Sequence, residues 1–288
     1  MSLQIRKFKP INIKKDTIIL LVGKRGTGKS TLLSDISYNL RHKVDFAIGM
    51  SPTEDTTQSM GTFIPTSSIY GDYKEDTIIS IMDLQKNMWR AGRGYHCLLV
   101  LDDCCYDKKI LRSKVIREIF MNGRHRRITL ILSAQYVMDL PPDLRTQVDY
   151  IFALRENVVQ NRERLWKQFF GYFNKYADFG ATMDECTEDF CCLVGDNKTS
   201  KSNSIEDCVF WYKAVYDLPK FRVGKKFMWN LHKRYYQKPV YNLPTVDFGK
   251  KKKNKPATTA SNRKGGKSDN ITTVVRQDEN GRAVSKVM

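Results

Sequence analysis

Gly23-Lys24-Arg25-Gly26-Thr27-Gly28-Lys29-Ser30 is the run of this chain whose residue types and spacing point most directly to chemistry. A glycine, four residues and then Gly-Lys-Ser is the pattern of a phosphate-binding loop. Its glycines let the backbone curl tightly and approach phosphates with no Cβ in the way. Backbone N–H groups from Gly26 to Ser30 then point inward as an anion nest at a helix N-terminus. Lys29 is expected to reach the β- and γ-phosphates of a nucleoside triphosphate, ATP, and the Ser30 hydroxyl to ligate Mg2+. Lys24, Arg25, Thr27 and Thr31 complete the run expected to contact the nucleotide. A ligand-free glycine turn gains nothing from Lys-Ser at the start of a helix.

A triphosphate site needs carboxylates as well. Cys97-Leu-Leu-Val-Leu-Asp102-Asp103 is an apolar strand ending in two of them. Such a strand is expected to emerge beside the phosphate loop, with Asp102 holding Mg2+ directly or through water. Asp103 is then placed to orient and deprotonate an attacking water. The next apolar run, Ile128 to Ala134, ends at Gln135, which a parallel sheet puts at the same edge as Asp103. A glutamine amide there can contact both the γ-phosphate and the water. Before that strand lies Asn122-Gly-Arg124-His-Arg126-Arg127. A guanidinium on the transferring phosphoryl group raises turnover by about 10³ to 10⁵. These arginines sit at the strand end opposite Gln135, so they suit a neighbouring subunit's site, or simply answer a helix dipole.

The elements that must position these residues read as alternating strands and helices. Residues 16–22 form a short β-branched apolar run, and Leu32, Leu33, Ile36 and Leu40 follow at helical spacing. Strands are expected at 44–49, 96–103, 128–134 and 148–154, and again at 208–215. Helices are expected at 75–93, with Ile78, Ile81, Met82 and Leu84 facing inward, and at 113–122. Residues 157–190 read as mostly helical around a dense aromatic patch, and 51–74, rich in Ser, Thr, Gly and Pro, as a loop. Strand–helix alternation argues for a mostly parallel sheet covered on both faces, the α/β class.

The chain has 288 residues, enough for one large domain with appendages, and a formal net charge of +18. Such an excess suits a polyanionic partner, nucleic acid before a membrane surface. No apolar run approaches the roughly twenty residues that span a bilayer, and the N-terminus lacks the apolar stretch of a secretory signal. Seven cysteines stand at 97, 104, 105, 186, 191, 192 and 208 without Cys-x-x-Cys pairs. They read as reduced thiols of a cytosol-like compartment. A metal site from Cys186, Cys191, Cys192 and Cys208 is the other reading.

Residues 220–238 hold seven Lys/Arg and no acidic residue. Phe227, Leu231 and Tyr235 recur every fourth position, so this stripe is expected to pack on the core while Lys226, Lys233 and Arg234 face phosphates. From 250 to 288 there are 11 Lys/Arg and 3 Asp/Glu, with the lysine run Lys250, Lys251, Lys252 and Lys253 and no Phe, Tyr, Trp or Leu. That segment is expected to be a disordered basic tail, a second candidate contact to nucleic acid. The expected organisation is an NTPase domain over 1–248, with its core at 15–155 and helical and strand elements at 156–248, and a tail over 249–288.

The phosphate loop, the LLVLDD strand, the Asn-Gly-Arg-His segment and the ITLILSAQ strand resemble, in order and spacing, the genome-packaging ATPases of nucleocytoplasmic large DNA viruses, of the FtsK/HerA superfamily. The resemblance covers about residues 15 to 155. It implies a RecA-like P-loop core, ATP and Mg2+ as ligands, a homo-oligomeric ring and ATP-driven movement of double-stranded DNA into a capsid. It places the trans-acting arginine at Arg124 and the sensor at Gln135. It also implies a capsid or portal partner and residence in the host cytoplasm, at the viral factory, and in the virion. Many superfamily members carry Asp-Glu where this chain has Asp102-Asp103. Other readings are a P-loop small-molecule or nucleoside kinase, another DNA-dependent ATPase or helicase, and a scaffold that binds ATP only to assemble. A nucleotide-switch GTPase fits poorly, because Asn197-Lys198-Thr199-Ser200 lacks the aspartate that reads guanine.

Overall fold

The structure is a computed structural model that describes residues 4–104, 107–136, 140–198 and 204–237, with the short segments 275–277 and 283–285. It divides into two units, Met1–Lys238 and Pro239–Met288.

In the first unit, strand β1 is only Arg6–Lys7, whereas β2, Ile18–Val22, is buried along its whole length. The phosphate loop follows and leads into helix α1, Lys29–Leu40. Next come β3 (Phe46–Met50), α2 (Glu54–Gly61), β4 (Ile69–Tyr70) and α3 (Glu75–Arg90). Strand β5 is Cys97–Asp102, followed by α4 (Lys108–Arg112), α5 (Lys114–Asn122) and β6 (Ile128–Ala134). Helix α6 (Pro142–Arg145), β7 (Tyr150–Ala153), α7 (Val159–Phe169) and α8 (Tyr176–Cys186) lead to β8 (Cys191–Asp196). The unit ends with α9 (Ile205–Cys208), β9 (Val209–Lys213) and α10 (Lys226–Tyr235).

The nine strands form one sheet in the order β1-β9-β8-β7-β2-β6-β5-β3-β4. All pairs are parallel except those of β8, which runs antiparallel to both β7 and β9. Strand β2 therefore sits mid-sheet between β6 and β7. The fold is the mostly parallel α/β architecture that the alternation of elements predicts.

Each face of the sheet carries its own core. On one, Leu32, Leu33, Ile36 and Leu40 of α1 and Met60 of α2 pack on Ile19 and Leu21 of β2. On the other, α3, α5, α7 and α8 pack on Ile18, Leu20 and Val22. Residues of a fully buried parallel strand are mostly apolar on both faces, which is why β2 reads as an unbroken hydrophobic run and β5 and β6 as nearly so. The aromatic patch at 168–179 supplies Phe170, Phe173 and Phe179, all fully buried.

Several expectations are corrected. Residues 51–74 are not all loop, for α2 lies within them: Glu54 and Asp55 occupy its first turn, where acidic side chains favour a helix start, and Met60 is buried. Leu84 of α3 is 49% exposed, and Gln85, donating to the Tyr95 carbonyl at 2.6 Å, takes the inner position. The stripe Phe227, Leu231 and Tyr235 does not pack on the core: the three are 57%, 39% and 69% exposed. Helix α10 is held by its other face. The Trp229 indole donates to the Val223 carbonyl at 3.0 Å, the His232 ring meets Ser67 at 3.0 Å, and Lys225 pairs with Asp45 at 2.8 Å. These anchors fix the helix rotation and turn the stripe outward.

In the second unit, Val275–Gln277 and Ala283–Ser285 pair antiparallel, where the tail's composition predicts no structure. Both runs carry β-branched valine, which favours a strand. Lys250 to Lys253 lie outside the described residues.

Candidate nucleotide site

The carboxyl ends of β2, β5 and β6 reach one edge of the sheet, and the residues just past them meet there. Strand β2 passes into Gly23, whose N–H donates to the Ala134 carbonyl at 3.2 Å. A Cβ at Gly23 would lie 2.7 Å from Thr27 Oγ1 and 2.8 Å from Leu154 Cβ, so only glycine fits. Gly26 and Gly28 have φ of 81° and 96°, the left-handed region that L side chains rarely adopt. The loop thus closes onto the N-terminus of α1 with Lys29 as its first helical residue.

Lys29 is 8% exposed, and its ammonium donates to the Gly23 carbonyl at 2.8 Å. It also pairs with Asp103 Oδ1 at 3.4 Å. The other Asp103 oxygen accepts from the Gln135 amide at 3.2 Å. Lys29, Asp103 and Gln135 therefore form one continuous polar chain across three strand ends. Asp103 has φ of 49°, a left-handed conformation unusual for a residue with a side chain. Asp102, the last residue of β5, is 3% exposed and accepts from Ser51 Oγ at 3.4 Å. Burial raises the Asp102 carboxyl above its ordinary range, and the neighbouring Asp103 pushes it the same way.

The strand ending in Asp102 emerges beside the phosphate loop, as expected, without pairing with β2. β5 does not pair with β2: β6 lies between them, joined to both in register. Asp103 reaches Lys29 across one strand, and Gln135, just past the end of that intervening strand, bonds to the same carboxylate.

These residues line a cleft of about 760 Å³ that also takes in Arg25, Ser30, Thr31, Thr53, Asp55 and Thr56. Lys24 pairs with Glu156 at 2.7 Å. Burial alone would raise the Glu156 carboxyl, but the Lys24 hydrogen bond and backbone donation from Val158 hold it below its usual range. Phe190, Lys213, Ala214 and Tyr216 close the cleft's other side. No sequence pattern marks these four: Phe190 reaches the site because β8 starts at this edge, and Lys213, Ala214 and Tyr216 because β9 ends there. A hollow of about 910 Å³ between α8 and β9 is lined by Ile5, Cys186, Cys191, Ile205 and Trp211 among others. It lies away from the phosphate loop.

Arg124 sits in the 3-10 turn Gly123–Arg126 at the amino end of β6, opposite Gln135. Seven strand residues at about 3.3 Å each separate the two by roughly 20 Å. Arg126 pairs with Glu118 at 3.3 Å, and Arg127 lies over Trp89 and donates to the Gly94 carbonyl at 3.0 Å. Arg124 is exposed, and its guanidinium makes no hydrogen bond or ion pair with the described residues. Lys226, Lys233 and Arg234 are exposed on α10. The cysteines of the described residues are unbridged, and among the described residues no three His, Cys, Asp or Glu side chains gather to hold a metal ion. No described helix is long and apolar enough to cross a membrane.

Glycine loop, buried lysine, paired carboxylates and strand-end glutamine on a mid-sheet cleft define a P-loop NTPase. The solved DNA-packaging ATPase from Sulfolobus Turreted Icosahedral Virus has the same fold, with a TM-score of 0.51 at 18% identity over 70% of this chain and 100% of that one. The pCW3 conjugation coupling protein TcpA superposes with a TM-score of 0.50 at 14% identity, over 70% of this chain and 61% of that one. In sequence, the chain is 34% identical over 237 residues to an uncharacterized protein of Acanthamoeba polyphaga mimivirus, spanning 78% of this chain and 81% of that one. It is 33% identical over 209 residues to an uncharacterized protein of Invertebrate iridescent virus 3, spanning 72% and 80%. No family profile matches. The chain belongs to the family of these uncharacterized mimivirus and iridescent virus proteins, and it has the P-loop NTPase fold of the two solved structures.

Proposed function

We propose that the protein is an ATP-hydrolysing motor that moves double-stranded DNA and packages a viral genome. One observation carries this reading: Lys29, Asp103 and Gln135, from three strand ends, are joined in a single polar chain on the phosphate-loop cleft. The packaging ATPase fold of the Sulfolobus virus protein supports it.

Each residue then has a task. The loop N–H groups from Gly26 to Ser30 bind the β- and γ-phosphates. The Lys29 ammonium, now shared between the Gly23 carbonyl and Asp103, turns to the γ-phosphate. Ser30 and Asp102, hard oxygen donors on one cleft, suit Mg2+, which takes few protein ligands beside the phosphates. Two protein ligands are also why no larger ligand cluster is needed. When bound, the ion supplies charge neutralisation of the triphosphate. Asp103 accepts the proton of a water that attacks the γ-phosphorus, while the bond to the β-bridging oxygen breaks and ADP leaves with the electron pair. Gln135, bonded to Asp103, orients that water and registers loss of the γ-phosphate. Arg124 is free where Arg126 and Arg127 are engaged, so it is the arginine that serves the site of the next subunit in a ring.

The test is ATP turnover with and without double-stranded DNA. Wild type is expected to be stimulated by DNA, and Lys29→Ala to be inactive. Arg124→Ala is expected to lose about 10³-fold or more in turnover. Mixing Arg124→Ala with Lys29→Ala protein restores activity, since each intact arginine then meets an intact loop. Turnover indifferent to DNA, or no recovery on mixing, overturns the motor or the trans arginine respectively.

A further inference from the structure

We propose that Phe190 and Tyr216 form the nucleobase subsite of this cleft, holding the base of the bound nucleotide by stacking. The proposal rests on the reading of the cleft as a triphosphate site and adds where the rest of the ligand goes. The cleft has two unlike ends. On one side of β2 lie Asp102, Asp103 and Gln135, the groups suited to phosphate chemistry; on the other lie Phe190, Ala214 and Tyr216. The phosphate loop is between them.

Topology brings the aromatic end into place. Because β8 runs opposite to its neighbours, it begins at the edge where β2 ends. Phe190, just before β8, and Ala214, just after β9, are set side by side by the register pair Cys191 and Lys213. The Phe190 ring approaches the loop so closely that a Cβ at Gly28 would lie 3.5 Å from its Cδ1. An ion pair between Lys213 and Asp189 ties the two segments together.

One feature asks for a ligand here. Phe190 is 65% exposed and Tyr216 89% exposed, on the rim of a cleft rather than scattered on a surface. Apolar rings flanking convergent polar groups are the usual composition of a small-molecule site. Asp189 and Phe190, with φ of 48° and 61°, are two successive non-glycine residues in the left-handed region. They are the central residues of a turn closed by the Cys191 N–H donating to the Glu188 carbonyl at 2.9 Å, and that turn carries the Phe190 ring to the cleft. Every nucleobase presents a π-face, so stacking on rings holds it without reading its edge.

The experiment compares the full-length protein's affinity, by isothermal titration calorimetry, for Mg-ATP and for inorganic tripolyphosphate, which lacks a base. Phe190→Ala and Tyr216→Ala are each expected to weaken ATP binding about five- to tenfold and to leave tripolyphosphate binding unchanged. Phe190→Tyr, which keeps a ring, is expected to retain wild-type affinity for ATP. Loss of both ligands together, or of neither, overturns the subsite. If wild type binds neither ATP nor tripolyphosphate, the phosphate-loop reading falls first and the subsite goes with it. Lys29→Ala provides the opposite control, weakening both ligands.

Discussion

At the scale of single residues, the informative position is Asp103. Its backbone sits in a left-handed conformation that costs a residue with a side chain about 1–3 kcal/mol, and such strain is kept at functional sites. Asparagine tolerates that conformation better than most residues, so Asp103→Asn removes the base without the backbone penalty of alanine. It also leaves an oxygen to accept from Gln135. The variant is expected to bind ATP as tightly as wild type, or more tightly once the negative charge near the γ-phosphate is gone. Its kcat is expected to fall by about 10² to 10⁴, the usual worth of general-base catalysis. Separating KM from kcat in steady-state turnover checks this, and an unchanged kcat rejects Asp103 as the base. The residues proposed for the phosphate chemistry stand out from local pattern, because Lys29 begins α1, Asp102 ends β5 and Gln135 follows β6, each beside a hydrophobic run. Phe190 and Tyr216 do not, because nothing local to them distinguishes a base-facing ring from a core ring.

At the scale of elements, the main strands and helices followed from periodicity, and their order in the sheet did not. Hydrophobic runs say that β2, β5 and β6 are buried on both faces; they are silent on which of them neighbour. The insertion of β6 between β2 and β5, and the reversal of β8, are decided by helix packing and crossover connections spanning tens of residues. Helix α10 shows the same limit. Its stripe Phe227, Leu231 and Tyr235 satisfies the helical repeat yet faces outward, because Trp229 and His232 hold the opposite face. Replacing Phe227, Leu231 and Tyr235 together with serine is therefore expected to change folding stability by less than about 1 kcal/mol, as exposed positions usually do. Trp229→Ala, which removes a half-buried ring and its hydrogen bond, is expected to cost about 1–3 kcal/mol. Urea denaturation of the two variants decides between the faces: a large loss in the serine variant would mean that the stripe is packed.

At the scale of the whole molecule, the +18 charge is the property least tied to any one fold and most tied to a partner. Two basic regions stand out, the exposed Lys226, Lys233 and Arg234 on α10 and the segment 250–288 with 11 Lys/Arg. Neither carries a motif that reads bases, so DNA binding through them is expected to ignore sequence and to follow counterion release. Log affinity should then fall linearly with log salt, by about 0.9 for each phosphate contacted. Replacing Lys226, Lys233 and Arg234 with glutamine should reduce that slope by about 3 if all three meet phosphates, and deleting 250–288 should reduce it separately. The two reductions should add, since the changes touch different contacts. Fluorescence anisotropy with two duplexes of unrelated sequence, titrated over a range of salt, measures each slope. If α10 tracks DNA, its variant also loses DNA-stimulated turnover while keeping the basal rate, because α10 lies outside the nucleotide cleft. An affinity that holds constant as salt rises would mean that the positive charge faces something other than the DNA backbone.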